Sequence, residues 1–268
     1  MSEPRPALPG AVLWLEASAA SSLEVEAEHV VKWRDLSDAH NDAAQSSVNL
    51  RPAMVAATAT KPAVVHFTAQ QHTFLGVADA SSLQFGKQDF AVALVFAFTN
   101  QPFAEGAPGA HLGGWGFALN KITQPSGPRV GWGIMGNWPN GETVPVRSAV
   151  GCETTEAGGS LLSKKNGYND GALRLWVMRR TTAKSLVELR DNGVVDGIAK
   201  GGSFLDDVST AGTPITLGGA RLNPGNMASA AFNLEGDIAA VVAFKGELSD
   251  ANVGVLEQYL MKRYRIAP

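Results

Sequence analysis

Six tryptophans occur among the 268 residues, and one of them, Trp138, stands in a stretch of turn formers and amides, Asn137-Trp138-Pro139-Asn140-Gly141. An indole on such a loop is costly to expose, and an exposed indole flanked by amides suits a sugar ring. The apolar face of the sugar stacks on the aromatic while its hydroxyls reach the amides. Trp138, Asn137 and Asn140 are therefore candidates for ligand contact. Upstream, a glycine-rich stretch from Gly106 to Gly116 carries His111 and Trp115. These two complete a groove with Trp138 if both loops open at one end of the fold. The structural alternative is that Trp138 folds back as a buried anchor, since Trp is largely buried on average, and that His111 is a solvated loop side chain.

A second group is oxygen-rich. Asp35, Asp38, Asn41 and Asp42 fall within eight residues and offer the hard ligands that calcium takes, although without the spacing or the glycine of an EF-hand. The alternative reading is that these side chains tie a loop to its own backbone amides. The histidines at 29, 40, 66 and 72 share no zinc-ligand spacing, and His66 is expected as a satisfied, buried imidazole in a strand. The single Cys152 permits neither an internal disulfide nor a thiolate cluster, which leaves the redox compartment open. No Asn-x-Ser/Thr sequon occurs.

For catalysis the only suggestive spacing is Glu24-Val25-Glu26-Ala27-Glu28, where alternate carboxylates share one strand face. A retaining glycosidase needs two carboxyl groups about 5 Å apart across the scissile bond. A solvated charged edge accounts for this segment better. Nucleophile-elbow, phosphate-loop and dinucleotide-binding motifs are absent, so the chain reads as non-catalytic. With a net charge of −3 and a pI near 6.0, nothing neutralises a phosphate backbone, and nucleic acid is not an expected partner. The longest apolar run, Phe90 to Phe98, is far short of the roughly 20 residues a membrane helix needs. The acidic, proline-rich residues 1–6 do not read as a secretory signal.

These side chains have to be positioned by strands. Twenty-nine glycines and the pairs Asn140-Gly141, Asn166-Gly167, Asp170-Gly171 and Asn192-Gly193 punctuate short runs of Val, Phe, Leu and Trp, which is an all-β pattern. Phe90, Val92, Leu94, Phe96 and Phe98 alternate with Ala91, Ala93, Val95 and Ala97, so this strand has no polar face and belongs at the centre of a sheet. The run Leu186 to Asp191 turns at Asn192-Gly193 into Val194, a hairpin. Residues 104–114 and 151–171 read as long loops. Near the end, Phe232 to Phe244 reads as a strand. After it, Val253, Leu256, Leu260 and Tyr264 form the stripe of an amphipathic helix capped by Ser249 or Asp250. One domain over residues 11–268 behind an arm at 1–10 accounts for the composition, 45% hydrophobic and 18% charged.

This closing strand and helix, with Val12-Leu13-Trp14-Leu15-Glu16, Val31-Lys32-Trp33-Arg34-Asp35 and Lys61-Pro62-Ala63-Val64-Val65-His66-Phe67, resembles the laminin-G-like modules of the concanavalin A-like lectin/glucanase superfamily, in their bacterial form. The resemblance spans nearly the whole chain. It departs at Ser37-Asp38-Ala39-His40-Asn41, where the family has Ser-Gly-Asn-Gly, and at Phe67-Thr68-Ala69, where it has Phe-Asp-Gly. It implies a two-sheet antiparallel jelly-roll sandwich with a short C-terminal α-helix, with Trp14, Trp33 and Trp176 in the core. The superfamily's Glu-x-Asp-x-x-Glu glucanase pattern is absent. The expected role is a binding or adhesion module recognising a glycan, in a family mostly met outside cells. The rival is a structural subunit that meets another protein surface in an oligomeric assembly.

Overall fold

The computed structural model describes residues 4–100, 116–123, 130–138, 149–155, 160–219 and 233–268; the side chains of Asn137 and Trp138 are outside that description. The elements follow in chain order: β1 (Ala11–Glu16), β2 (Leu23–Glu26), β3 (His29–Trp33), β4 (Ala43–Ala44), β5 (Ala53–Val55), β6 (Val64–Phe67) and β7 (Leu75–Val77). Next come the long strands β8 (Phe90–Phe98), β9 (Gly116–Thr123), β10 (Val130–Trp138) and β11 (Ala149–Thr155), and the short β12 (Ser160–Leu162). The remainder is β13 (Arg174–Thr181), β14 (Leu186–Asp191), β15 (Val194–Lys200), β16 (Ile215–Leu217), β17 (Gly236–Lys245) and α1 (Asp250–Tyr264).

Two antiparallel layers face each other. One runs β15-β14-β13-β8-β17-β1, with β6 in place of β1 along Gly236–Ile238. The other runs β12-β11-β10-β9-β16-β7-β4-β3-β2, and β5 bridges the layers by pairing with both β6 and β3. The Phe/Ala alternation of β8 explains its central place. Its phenylalanines, Val92 and Leu94 enter the core between the layers, where Phe85 stacks on Phe90 at 4.9 Å and on Trp132 at 5.1 Å. Ala91, Ala93 and Val95 point the other way and are equally buried, beneath α1.

That second burial is the helix's reason for being there. Val253, Leu256, Leu260 and Tyr264 lie on the small side chains of β8 and β17, each buried side chain of this size contributing about 1.5–3 kcal/mol. Ser249 caps the first turn by accepting from the Asn252 amide, and Arg265, in the left-handed region at φ 57°, ends the last. Polar clamps fix the helix along its length. Arg179 donates to the Leu248 carbonyl and to Asp250, Arg190 donates to Glu257, and the Tyr264 hydroxyl donates to the Ala239 carbonyl.

At the end of the sandwich where β8 begins, two buried cations hold the connecting loops. Lys121 Nζ, with no exposed side-chain surface, lies 2.7 Å from Asp79 Oδ1 and donates to the carbonyls of Thr213 and Thr210. Burial lowers its pKa, which Asp79 only partly restores. Arg180 lies 4.8 Å over the Phe90 ring and donates to the carbonyls of Gly86, Gln88 and Asp206, with no carboxylate among its hydrogen-bond partners in the described residues.

Sequence and structure agree on the central strand, the Asn-Gly hairpin and the helix, and Asn192 (φ 46°) and Gly193 (φ 84°) take the left-handed conformations that a two-residue turn needs. The expected loop at 151–171 is corrected. Residues 151–155 belong to β11 and 160–162 to β12, which pair with one another, so a polar, glycine-bearing edge pair reads in sequence like a connection. The expected loop at 104–114 lies outside the described residues. Trp14, Trp33, Trp132 and Trp176 are core residues.

Candidate functional site

Strand register brings three long connections to one end of the sandwich. Gly116 at the start of β9 pairs with Gly136 near the end of β10, Trp138 pairs with Ala149, and Phe117 bridges to Asn233. Leu234 donates its amide to the Gly218 carbonyl at the same place. Segments 101–115, 139–148 and 220–232 are therefore rooted side by side.

The roots are locked by amides. Asn100, just past β8, donates through Nδ2 to the Asn233 carbonyl at 3.0 Å and accepts through Oδ1 from the Glu235 amide at 2.9 Å. Asn233 is fully buried, and its Nδ2 lies 2.7 Å from His72 Nδ1, which therefore accepts. Its Oδ1 is buried without a hydrogen bond among the described residues. The glycines have a steric cause. A Cβ on Gly116 would stand 2.5 Å from Asn100 Oδ1, and one on Gly136 2.8 Å from the Phe98 ring. The root strands close directly onto the lock.

Titratable side chains flank this end. His66 Nδ1 lies 2.8 Å from Asp237 Oδ1 across the β6–β17 pair, and its Nε2 is 4.0 Å from Glu235. The hydrogen bond to Asp237 raises the imidazole pKa against the opposing effect of burial. The imidazole is satisfied, as expected, but it is more than a third exposed rather than buried, because its strand lies at the margin of its layer. Nearby, Arg174 forms a two-pronged ion pair with Asp170, whose pKa the guanidinium holds down to about 2, and lies over the Tyr168 ring at 4.9 Å. The Tyr168 hydroxyl donates to Asp191, whose carboxyl burial pushes up.

Of the candidate ligand contacts, Asn137 and Trp138 occupy the last residues of β10, and Trp115, His111 and Asn140 lie outside the described residues. The register nevertheless roots the two segments that carry them on neighbouring strands. Asp35, Asp38 and Asp42, the calcium candidates, lie on the one loop that follows β3. Asp35 accepts four hydrogen bonds, from the amides of Trp14, Ser37 and Asn41 and the Ser37 hydroxyl. Asp42 accepts from the Asp35 amide and faces Lys32, while Asp38 is exposed. Asp35 and Asp42 thus tie this loop to its own backbone amides. Among the described residues no group of three or more His, Cys, Asp or Glu could hold a metal. Glu24 and Glu26 are exposed and pair separately, with Arg34 at 3.7 Å and Arg51 at 2.8 Å. Asn100 and Asn233 are the residues the sequence reading missed. Their one signal is position, each an Asn at the junction between an apolar strand and a long polar stretch.

The arrangement has relatives by shape. The binding domain of Paraclostridial Mosquitocidal Protein 1 matches at a TM-score of 0.63 with 12% identity, over 94% of this chain and 52% of that one. The binding domain of botulinum neurotoxin DC, in complex with SialylT, matches at 0.58 with 10% identity, over 94% and 52%. The serotype D ligand-binding domain in complex with N-acetylneuraminic acid matches at 0.56 with 13% identity, over 93% and 50%. The chain thus spans about half the length of the solved chains it matches. At these identities the likeness establishes a shared β-sandwich fold, found in binding domains. No family model and no curated protein sequence matches the chain.

Proposed function

We propose that this chain is a non-catalytic binding module of the laminin-G-like, concanavalin A-like type, and that it recognises a glycan at the end of the sandwich where its long connections are rooted. The observation that supports the reading is the pairing of Gly116 with Gly136, by which the strand that follows His111 and Trp115 in the chain neighbours the strand that precedes Asn140. Rigid sandwiches commonly carry their binding residues on such clustered loops. The solved structures of similar fold are binding domains, two of them with a sialylated ligand or N-acetylneuraminic acid named, which supports a sugar as the class to try first.

The test is Trp138→Ala on a glycan array, paired with thermal unfolding. Stacking on a sugar predicts that binding disappears while the melting temperature hardly moves. A loss of about 3–5 kcal/mol of stability instead identifies Trp138 as a packed anchor and overturns its role in the site.

A further inference from the structure

On the helix side of the sandwich, residues 4–10 run beside Trp14. The arm holds on by few contacts. The Arg5 guanidinium lies 5.2 Å over the Trp14 indole and donates through Nη1 to the Leu36 carbonyl, and Leu8 packs against the helix-side core. The floor beneath is built. Trp14 Nε1 donates to Glu16 Oε1 at 2.5 Å, the Tyr259 hydroxyl donates to both Glu16 oxygens, and Arg263 stands 3.7 Å from the same carboxylate. Burial first, then the Glu16 charge, pushes the Tyr259 hydroxyl well above its ordinary pKa, so it remains a donor there.

The arm does not fill this crevice. A cavity of about 490 Å³ opens on one side of Arg5, bordered by Gly10, Trp14, Ser37 and Asp38, and one of about 450 Å³ on the other, bordered by Glu16, Leu36, Tyr259 and Arg263. The occupant is a guanidinium set between prolines, Pro4-Arg5-Pro6, on an aromatic floor with the acidic Asp38 at one margin. Prolines pre-set an extended segment and lower the entropy lost on docking, and a planar guanidinium stacks on an indole as an ammonium does not. Gly10, at φ +79°, follows every one of these contacts, so rotation there can carry the arm away without disturbing β1. The same contacts are then available to the arm of another copy, with no new surface needed.

We infer that the crevice over Trp14 is a recognition slot for a proline-flanked arginine, and that the arm of a second copy exchanges into it with the chain's own arm. The probe is a fluorescent peptide of residues 4–11, titrated into the full-length wild type and the exposed-site variant Arg5→Ala. With the tethered competitor weakened, the peptide should bind Arg5→Ala at least about tenfold more tightly than wild type, and a peptide with Lys in place of Arg5 should bind neither. Sedimentation of the wild type at increasing concentration should show dimers that Arg5→Ala forms less readily. A peptide that binds neither protein overturns the slot. Peptide binding to Arg5→Ala with a wild type that stays monomeric throughout overturns the exchange between copies.

Discussion

The two ends of the sandwich are closed by different chemistry. Where β8 begins, the loops hang on buried cations, Lys121 and Arg180, whose donors are met by backbone carbonyls and, for Lys121, by Asp79. Where β8 finishes, the roots of three long segments are joined by neutral groups, Asn100, Asn233 and His72. A buried charge demands fixed partners because its desolvation is otherwise uncompensated, so the loops it binds are held to one arrangement. An amide lock loses only about 1 kcal/mol per hydrogen bond, and the segments above it are free to differ in length and sequence without unfolding the layer below. The fold thereby separates an end held by buried charge from an end held by amides.

Substitutions can break this contrast. Lys121→Met keeps the aliphatic stem but leaves two carbonyls without their donor, while Asp79 keeps its bonds from Gln84 and Gly212, and should cost about 1–3 kcal/mol in urea unfolding while glycan affinity holds. An affinity loss without a stability loss would reverse the assignment of ends. Gly116→Ala drives a methyl against Asn100 Oδ1 and should cost about 1–3 kcal/mol, with the larger relative effect on glycan binding. Asn233→Ala removes the bond to His72 together with an oxygen that has no hydrogen bond among the described residues, so a stability change of about 1 kcal/mol or less is expected, again with weakened binding. The smallest effect belongs to His66. Its folded pKa is raised above 6.5, so the stability it adds is fully present below that pH and is lost as pH rises through the raised value. The melting temperatures of wild type and His66→Gln should therefore converge as the buffer is made alkaline.

Legibility in the sequence followed periodicity. Phe90 to Phe98 and the Val253, Leu256, Leu260, Tyr264 stripe announced both their element type and their buried faces, because a repeat of two or of three-and-four has one packing consequence. The edge pair β11–β12 was invisible because glycine, cysteine, glutamate and threonine have no strong pattern at an edge. The Asp35 cluster was legible as oxygen-rich chemistry but not as a set of bonds. Carboxylates that bind backbone amides and carboxylates that bind calcium have the same composition, and only the direction of the neighbouring N–H groups separates them. Asn100 and Asn233 lie far apart in the chain and become a unit only through register, which no local pattern encodes.

The pairing of β1 with β17 imposes an order of events on biosynthesis. Ala11 meets Phe244 and Glu16 meets Ala240, so β1, once made, waits for a strand synthesised long after it. At roughly 5–20 residues per second that wait lasts on the order of tens of seconds, during which β1 and the apolar β8 have no completed layer to enter. The nascent chain is consequently most exposed to aggregation just before β17 leaves the ribosome. Translation speed through the stretch that leads up to β17, or a holding chaperone acting there, should govern the yield of folded protein more than the synthesis of β1 itself.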